Sequence, residues 1–192
     1  MLKEAAAVLA KGGLVAFPTE TFYGLGANAL DAEAVRRVFV AKGRPESKPV
    51  LVLVDSVEMA ESLVKEVPAA ARKLMSRYWP GPLTLVFKAI ASAPEELTGG
   101  TGTIGIRLPR HPVAFELVHA AGVPLTAPSA NLSGVPPPTT AADVTRALSG
   151  KIDLILDGGA TAGGLPSTIL DVTVTPPRLL RRGALEIPES AP

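Results

Sequence analysis

A chain of 192 residues suits one domain with a substantial core, and a hydrophobic content of 47% excludes a disordered protein. The absence of cysteine excludes disulfides, thiolate metal sites and cysteine nucleophiles, and two histidines are too few for a histidine-based metal cluster. A formal net charge of +1 gives no general attraction to nucleic acid.

The composition also indicates where the protein works. No apolar run approaches the roughly 18 residues that indicate a membrane span. The N-terminus, Met1 to Ala5, lacks the shape of a signal peptide, so we expect a cytoplasmic protein without membrane contact. The chain has no glutamine, two asparagines and 19 prolines, against a usual proline share of about 5%. This composition predicts a heat-adapted source.

Helical and strand patterns intermix along the chain. In order, the predicted elements are a helix at 2–11, a strand at 13–17, a helix from a cap at Asp31 to about Lys42, a strand at 49–54, helices near 57–65 and 69–79, strands at 83–88 and 103–108, a helix at 112–121, a strand at 123–127, a helix at 141–149 with a capping pair at Thr140 and Asp143, and strands at 152–156, 168–174 and 178–182. This mixture predicts an α/β fold with a mixed twisted sheet flanked by helices. A glycine-rich loop at 158–164 is predicted to be mobile.

A polar stretch at 18–28 leaves the end of the first buried strand, where ligands often bind in open α/β sheets. Residues two apart point the same way in an extended chain, so Thr19 and Thr21 would share one side and Glu20 would face the other. A polar turn with glycines for tight geometry is the alternative interpretation. A dinucleotide fingerprint is rejected because the next helix begins only near Asp31.

Two bases follow the end of the predicted helix at Lys42. Lys42 and Arg44 could reach one polyanion such as a triphosphate, since Arg44 precedes Pro45 and therefore prefers an extended backbone. The alternative is that these bases complement the dipole at the helix C-terminus.

The segment 103–108 alternates in the manner of a strand. Ile104 and Ile106 lie on its core face, and Thr103, Gly105 and Arg107 lie on the other. Gly105 leaves room beside Arg107, whose guanidinium could hold a carboxylate in a two-point grip. An ordinary surface arginine is the alternative.

Small hydrogen-bonding residues alternate again after the predicted strand at 123–127, at Ser129, Asn131 and Ser133. They suit close contact with phosphate or ribose, and a plain turn is the alternative. Ser167-Thr168 and Arg181-Arg182 are weaker signals. Because no phosphate-binding loop with its lysine and no serine nucleophile elbow is present, an enzyme built from these parts would act by positioning reactants and neutralising charge.

The ordered set of these segments resembles the YrdC/Sua5 family of threonylcarbamoyl-AMP synthases over roughly residues 3 to 185. The matching pieces share that order along the chain: Pro18-Thr19-Glu20-Thr21, Tyr23-Gly24-Leu25-Gly26, Lys42-Gly43-Arg44-Pro45, Trp79-Pro80-Gly81-Pro82-Leu83-Thr84, Arg107-Leu108-Pro109, Ala127-Pro128-Ser129-Ala130-Asn131, Ser167-Thr168-Ile169 and Leu180-Arg181. The resemblance implies a YrdC-like catalytic domain over 1–187 around a deep, positively lined cavity, followed by a tail at 188–192.

The resemblance also implies roles for individual residues. Lys42 and Arg44 are the candidate catalytic residues. The resemblance implies no metal ligand from the protein, and Mg²⁺ is expected to arrive with ATP. The implied ATP-binding residues are Lys42, Arg44, Thr103, Ser129, Asn131 and Arg181. The implied L-threonine-binding residues are Thr19, Arg107 and Thr168, with Arg107 on the carboxylate.

Two features depart from the family pattern. Pro137 stands where many members have a serine after the Ser-x-Asn loop, which removes one nucleotide contact. The chain also ends near the edge of the catalytic domain, so it resembles the short, single-domain type.

The resemblance implies the reaction of ATP, bicarbonate and L-threonine to threonylcarbamoyl-AMP and pyrophosphate, which is a nucleotidyl transfer. The product of this reaction would serve tRNA modification. The implied partners are tRNA and the downstream threonylcarbamoyl-transfer proteins. Two alternatives stay open. One is a carbamoyl-AMP-forming relative that uses carbamoyl phosphate, and the other is a non-catalytic RNA-binding module.

Overall fold

The computed structural model describes residues 1–45 and 48–188. The helices of this part are α1 (Leu2–Ala10), α2 (Ala32–Lys42), α3 (Val57–Glu61), α4 (Ala69–Tyr78), α5 (Glu95–Thr98), α6 (Pro112–Ala121) and α7 (Ala141–Leu148). Its strands are β1 (Val15–Pro18), β2 (Tyr23–Gly26), β3 (Leu51–Leu53), β4 (Leu83–Lys88), β5 (Thr103–Arg107), β6 (Leu125–Thr126), β7 (Leu154–Ile155), β8 (Thr168–Asp171) and β9 (Arg178–Arg181). The predicted tail lies, from residue 189 onward, outside the described residues.

The strands form two mixed sheets. The three-stranded sheet has the order β2-β1-β7, with β1 antiparallel to β2 and parallel to β7. The six-stranded sheet has the order β6-β3-β5-β4-β8-β9, in which β5 pairs parallel with β3 and antiparallel with β4. The predicted α/β class with mixed strand directions is confirmed, although the strands divide between two sheets and not one. Isolated pairing of Gly24 with Ser129 and of Asn28 with Leu125 links the two sheets.

Three helix ends, two of them on α2, have the chemistry expected of their sequence. At α2, the Asp31 carboxylate accepts from the backbone N–H groups of Glu33 and Ala34 at 3.0 and 3.2 Å, which satisfies two orphan donors. Gly43 ends the same helix with φ 55°, a left-handed conformation that glycine adopts without a Cβ clash. At α7, Thr140 and Asp143 form the reciprocal capping box.

The apolar side chains divide into three clusters around the sheets. The largest lies on the six-stranded sheet, where Ile104 and Ile106 of β5 are fully buried with Leu83 and Leu85 of β4. A second cluster packs α1 and α6 against Phe17 of β1. Burial of these faces is the main stabilising contribution and holds the central strands in fixed register.

Two elements were absent from the sequence-based prediction. The stretch 18–28 was expected to be a polar loop, but Tyr23–Gly26 form β2, paired with β1 in antiparallel register. The four-residue helix α5 was also missed. Across the described part of the chain, no helix has the length and apolar character needed to cross a bilayer.

Candidate functional site

A cavity of about 700 Å³ lies between the two sheets. This volume falls within the range of roughly 300–1,000 Å³ that small-molecule sites occupy. Its wall is built from β2, β4, β5 and β9, from the segments that follow α2 and β6, and from the segment that leads into β8. The structure therefore brings together most of the sequence segments that were singled out as candidate ligand contacts.

Thr19 and Thr21 enter the cavity from the turn between β1 and β2. Their hydroxyl oxygens lie 3.1 Å apart, so they share one side as the alternation predicted. Thr19 also donates its hydroxyl to the Phe22 carbonyl at 2.7 Å, which fixes the turn. Glu20 does not line the cavity, and its carboxylate lies behind the wall near Arg107.

Arg44 lines the cavity directly after the left-handed Gly43. One terminal nitrogen of its guanidinium donates to the Pro49 carbonyl at 3.0 Å, and its Nε is buried without a hydrogen-bond partner among the described residues. Burial lowers the pKa of Arg44. Such a partly desolvated cation binds an anionic ligand more strongly than a solvated one. Residues 46–47 of the same segment lie outside the described part.

Lys42 lies beneath the cavity wall and does not line it. Its side chain is buried, with 3% exposed, and its Nζ donates to the carbonyls of Ser129 and, at 2.7 Å, Asn131. Burial lowers the pKa of Lys42 to about 8, and the positive charge of Arg44 adds to this effect. The simple interpretation of Lys42 as a base that only complements the helix dipole does not account for these contacts.

Strand β5 presents Thr103, Gly105 and Arg107 to the cavity, as its alternation predicted. Arg107 is 3% exposed, so the alternative of an ordinary surface arginine is wrong. Burial lowers the pKa of Arg107, and the carboxylate of Glu20, 3.8 Å from Nε, opposes that shift. A buried guanidinium at the base of a cavity is well suited to a carboxylate ligand.

Ser129 and Asn131 reach the cavity from the loop after β6. Asn131 donates from Nδ2 to the carbonyls of Leu132 and Val135 at 3.0 and 2.6 Å, while its Oδ1 is buried without a partner among the described residues. Ser133, predicted with them, does not line the cavity, and its N–H donates to the Lys42 carbonyl. Pro137, for which the resemblance implied a departure from the family pattern, lines the cavity.

Arg181 and Ser167 close the wall on the side of β8 and β9. Arg181 donates from Nε and a terminal nitrogen to the Ser167 carbonyl at 3.0 and 2.8 Å. Burial, and then the charge of Arg107, lowers the pKa of Arg181. Ser167 also shares a hydrogen bond with Thr84, and their hydroxyl oxygens are 2.8 Å apart.

Thr168 points away from the cavity, since residues 167 and 169 line it and strand side chains alternate. Its hydroxyl donates to the Leu185 carbonyl at 2.6 Å, and the residue is 1% exposed. The sequence analysis named Ser167-Thr168 as a weak signal but gave the binding role to Thr168, and it gave none to Ser167 or Thr84. Period-two alternation along 167–169 was the available signal for Ser167.

The glycine-rich loop predicted to be mobile is hydrogen-bonded to its surroundings. The Tyr23 hydroxyl donates to the Gly159 carbonyl at 2.7 Å, and the Gly163 N–H donates to the Thr21 carbonyl at 2.8 Å. Gly164 lines the cavity. The loop therefore completes the wall beside Thr21.

The charge of the described cavity lining is positive. Arg44, Arg107 and Arg181 contribute cations, and no Asp or Glu is present in the described lining. The remaining polar groups are hydroxyls and one amide, which bind phosphate or carboxylate oxygens without introducing charge. The arrangement favours an anionic ligand or several anionic groups side by side.

Known proteins are similar to this chain in sequence and in fold. A family model for Sua5, YciO and YrdC, described as telomere recombination, matches residues 7–183. The threonylcarbamoyl-AMP synthase of Pyrococcus abyssi is 49% identical over 188 residues, which is 98% of this chain and 55% of the relative. That of Thiobacillus denitrificans is 37% identical over 166 residues, 86% of this chain and 88% of the relative. The crystal structure of P. abyssi Sua5 complexed with L-threonine has a TM-score of 0.94 at 49% identity, covering 96% of this chain and 54% of that one.

Fold and cavity together define an α/β domain with a positively charged cavity between two mixed sheets. The chain belongs to the Sua5/YciO/YrdC family, as the family model and the T. denitrificans relative both show. It spans about half the length of the P. abyssi relative.

Proposed function

We propose that the chain is a threonylcarbamoyl-AMP synthase. In this proposal it condenses L-threonine, bicarbonate and ATP to threonylcarbamoyl-AMP and pyrophosphate in the cytoplasm, and its product serves N6-threonylcarbamoyladenosine modification of tRNA. The observation that carries the proposal is the convergence of Arg44, Arg107 and Arg181 on one cavity whose described lining has no carboxylate. The relatives from P. abyssi and T. denitrificans are threonylcarbamoyl-AMP synthases, which supports the same activity for this chain.

The residues divide into two groups by position. Arg44, Thr103, Ser129, Asn131 and Arg181 are proposed to hold ATP, whereas Lys42, predicted with them, lies beneath the cavity wall and contacts the loop that carries Ser129 and Asn131. Thr19 and Arg107 are proposed to hold L-threonine, with Arg107 on its carboxylate because a guanidinium can grip two oxygens at once. Thr168, the third residue predicted for L-threonine, faces away from the cavity, and we propose Ser167 for the contact on that side.

The proposed chemistry needs no protein nucleophile. The threonine amine and bicarbonate give N-carboxythreonine and water. A carbamate oxygen then forms a bond to the α-phosphorus of ATP, the bond from that phosphorus to the bridging oxygen breaks, and pyrophosphate leaves with the electron pair. Arg44 and Arg181 would offset the charge that builds on the phosphate oxygens, while the fixed Thr19 turn and Arg107 would hold N-carboxythreonine beside the α-phosphorus.

Mg²⁺ would enter on the nucleotide. The described residues contain no group of three His, Asp or Glu side chains that could hold a metal, and the described lining supplies no carboxylate. Phosphate oxygens are hard ligands that suit Mg²⁺. This donor set fits an ion carried by ATP and does not fit one bound by the protein.

The test is pyrophosphate release from ATP with Mg²⁺ and bicarbonate, with and without L-threonine, with the nucleotide product identified by mass spectrometry. Threonine-dependent release with the mass of threonylcarbamoyl-AMP is expected. A parallel reaction contains carbamoyl phosphate in place of bicarbonate and L-threonine. Product formed only in that reaction, or no turnover in either, would overturn the proposal.

A further inference from the structure

Lys42 connects two segments that are far apart in sequence. It is the last residue of α2, and its Nζ donates to the carbonyls of Ser129 and Asn131 in the loop after β6. Its own backbone carbonyl accepts from the Ser133 N–H at 2.9 Å. One residue thus contacts alternate positions 129, 131 and 133 of a loop that lies almost 90 positions further along the chain.

The three contacts fix the face that the loop presents. Because successive residues of an extended segment alternate, a grip on the backbone of Ser129 and Asn131 sets the direction of both side chains. Both side chains line the cavity, whereas Lys42 does not. The opposite flank of the loop is held by β2, since the Ala130 N–H donates to the Tyr23 carbonyl at 2.8 Å and the Leu25 N–H donates to the Pro128 carbonyl at 2.8 Å.

The ammonium of Lys42 is largely committed to this loop. It has three donors, and two of them reach carbonyl oxygens within the protein. Hydrogen bonds from a charged donor are the stronger kind, and a buried carbonyl that loses its donor carries the cost of desolvation. Arg44, two residues later, lines the cavity and makes no contact of this type with the loop.

We propose that Lys42 is a positioning residue, which holds the loop 129–133 so that the Ser129 and Asn131 side chains face the cavity, and which acts on the ligand through them. The identity of that ligand as a nucleotide rests on the proposed function, but the grip on the loop does not. Lys42 and Arg44 then have different tasks although they stand two residues apart. Arg44 meets the anion, and Lys42 keeps the neutral hydrogen-bonding groups in place.

The first test uses ligand-free protein, so it is independent of any activity. Hydrogen–deuterium exchange is measured in peptides that cover 127–134 in the wild type, Lys42→Met, Lys42→Arg and Arg44→Met. Lys42→Met removes the donors with little change in length, and exchange of this loop is expected to accelerate at least about tenfold. Arg44→Met is the matched control, with the same loss of charge nearby, and is expected to stay within about twofold of the wild type.

Lys42→Arg keeps a charged donor and is expected to lose only part of the protection. If Lys42→Met does not fold, Lys42→Arg carries the test, because its longer planar group moves the two carbonyls apart and should give intermediate exchange. Wild-type exchange in folded Lys42→Met, or in Lys42→Arg where only that variant folds, would overturn the proposal.

The second test measures ATP binding by calorimetry in Lys42→Met, Ser129→Ala and the double variant. If Lys42 acts through the loop, the losses of ATP affinity in the two single variants are expected to be non-additive. Ser129→Ala should then cost at least threefold less affinity in the Lys42→Met background than in the wild type. Additive losses together with wild-type exchange would mean that Lys42 contacts the nucleotide directly. Absence of ATP binding in the wild type would count against the proposed function and leave the exchange result to decide the role of Lys42.

Discussion

The carboxylate of Glu20 lies 3.8 Å from Nε of Arg107, behind the cavity wall. Both carboxylate oxygens and this nitrogen are buried, and none has a hydrogen-bond partner among the described residues. The two groups therefore interact through charge and not through a short hydrogen bond. Since Arg107 faces the cavity and Glu20 does not, the carboxylate is a fixed counter-charge behind a cation that is kept available for a ligand.

Removing one member of this pair should destabilise the fold. Glu20→Gln leaves Arg107 buried without its counter-charge, and we expect a loss of about 3 kcal/mol in the free energy of unfolding. The double variant with Arg107→Met should lose at least about 1 kcal/mol less than the two single losses combined. Urea unfolding of the four proteins measures this coupling. The exposed pair Arg72–Glu61, 2.6 Å apart, is the control and should couple by less than about 0.5 kcal/mol.

Arg107→Lys keeps the positive charge but removes the two-point grip on a carboxylate. We expect the KM for L-threonine to rise roughly 10- to 100-fold, because a charge-assisted hydrogen bond contributes about 1.5–3 kcal/mol. The KM for ATP should change less than about threefold, since Arg107 is not proposed to hold the nucleotide. Arg110→Lys, on the adjoining exposed segment, is the control variant. Equal increases in both KM values would contradict the assignment of Arg107 to L-threonine.

Gly105 leaves open the part of the cavity next to Arg107. A Cβ added there would lie 3.3 Å from Thr84 Cγ2, which is a tight contact, and the branches of valine would project further. Gly105→Val is therefore expected to weaken L-threonine binding at least tenfold while the melting temperature falls by only a few degrees. Calorimetric titration and thermal unfolding measure the two effects. Unchanged binding would show that ligands do not use this part of the cavity.

Arg44→Ala removes the cation that lines the cavity after α2. We expect kcat/KM for ATP to fall roughly 10- to 100-fold or more, which corresponds to the loss of one charge-assisted contact to phosphate. Arg37→Ala is a suitable control, because Arg37 lies on the same helix and contacts Gly12 and Asp153 away from the cavity. Full activity of Arg44→Ala in the pyrophosphate assay would exclude Arg44 from the phosphate contacts.

Local patterns predicted most of the fold. The Asp31 cap, the Thr140–Asp143 capping box and the strand Leu83–Lys88 depend on nearby residues, and each was predicted where the structure has it. Strand β2 was missed because two of its four residues are glycines, which lower strand propensity and hide alternation. The division into two sheets depends on which strands pair, and hydrophobic periodicity carries no information about partners.

In the candidate site, too, local patterns predicted some features and not others. The cavity face of β5 followed from alternation, because Thr103, Gly105 and Arg107 share one side of a regular strand. The direction of Lys42 did not follow, since its partners are carbonyls almost 90 residues away and a backbone carbonyl has no sequence signature. The direction of the Thr168 side chain was not predicted for the same reason, since its hydroxyl donates to the backbone carbonyl of Leu185.

Lys42 should also give the stability a distinctive dependence on pH. Burial lowers its pKa from the ordinary 10.5 to about 8 in the folded protein. Between these values the unfolded chain binds more protons at this residue, so the free energy of unfolding rises with pH in that window and is unaffected by Lys42 titration below it. Over this window the free energy of unfolding rises by at most roughly 3 kcal/mol because of Lys42. The hydrogen bonds to two carbonyls favour the ammonium and therefore reduce this change.

The measurement is urea unfolding of the wild type and Lys42→Met at several pH values from 6 to about 10.5. The difference in stability, wild type minus variant, should be flat up to about pH 8 and then increase in favour of the wild type. Lys88→Met, which removes an exposed lysine at the end of β4, is the control for the loss of a lysine from the surface. A wild-type advantage that shrinks as pH rises would mean that the ammonium is stabilised by its carbonyl partners more than it is penalised by burial.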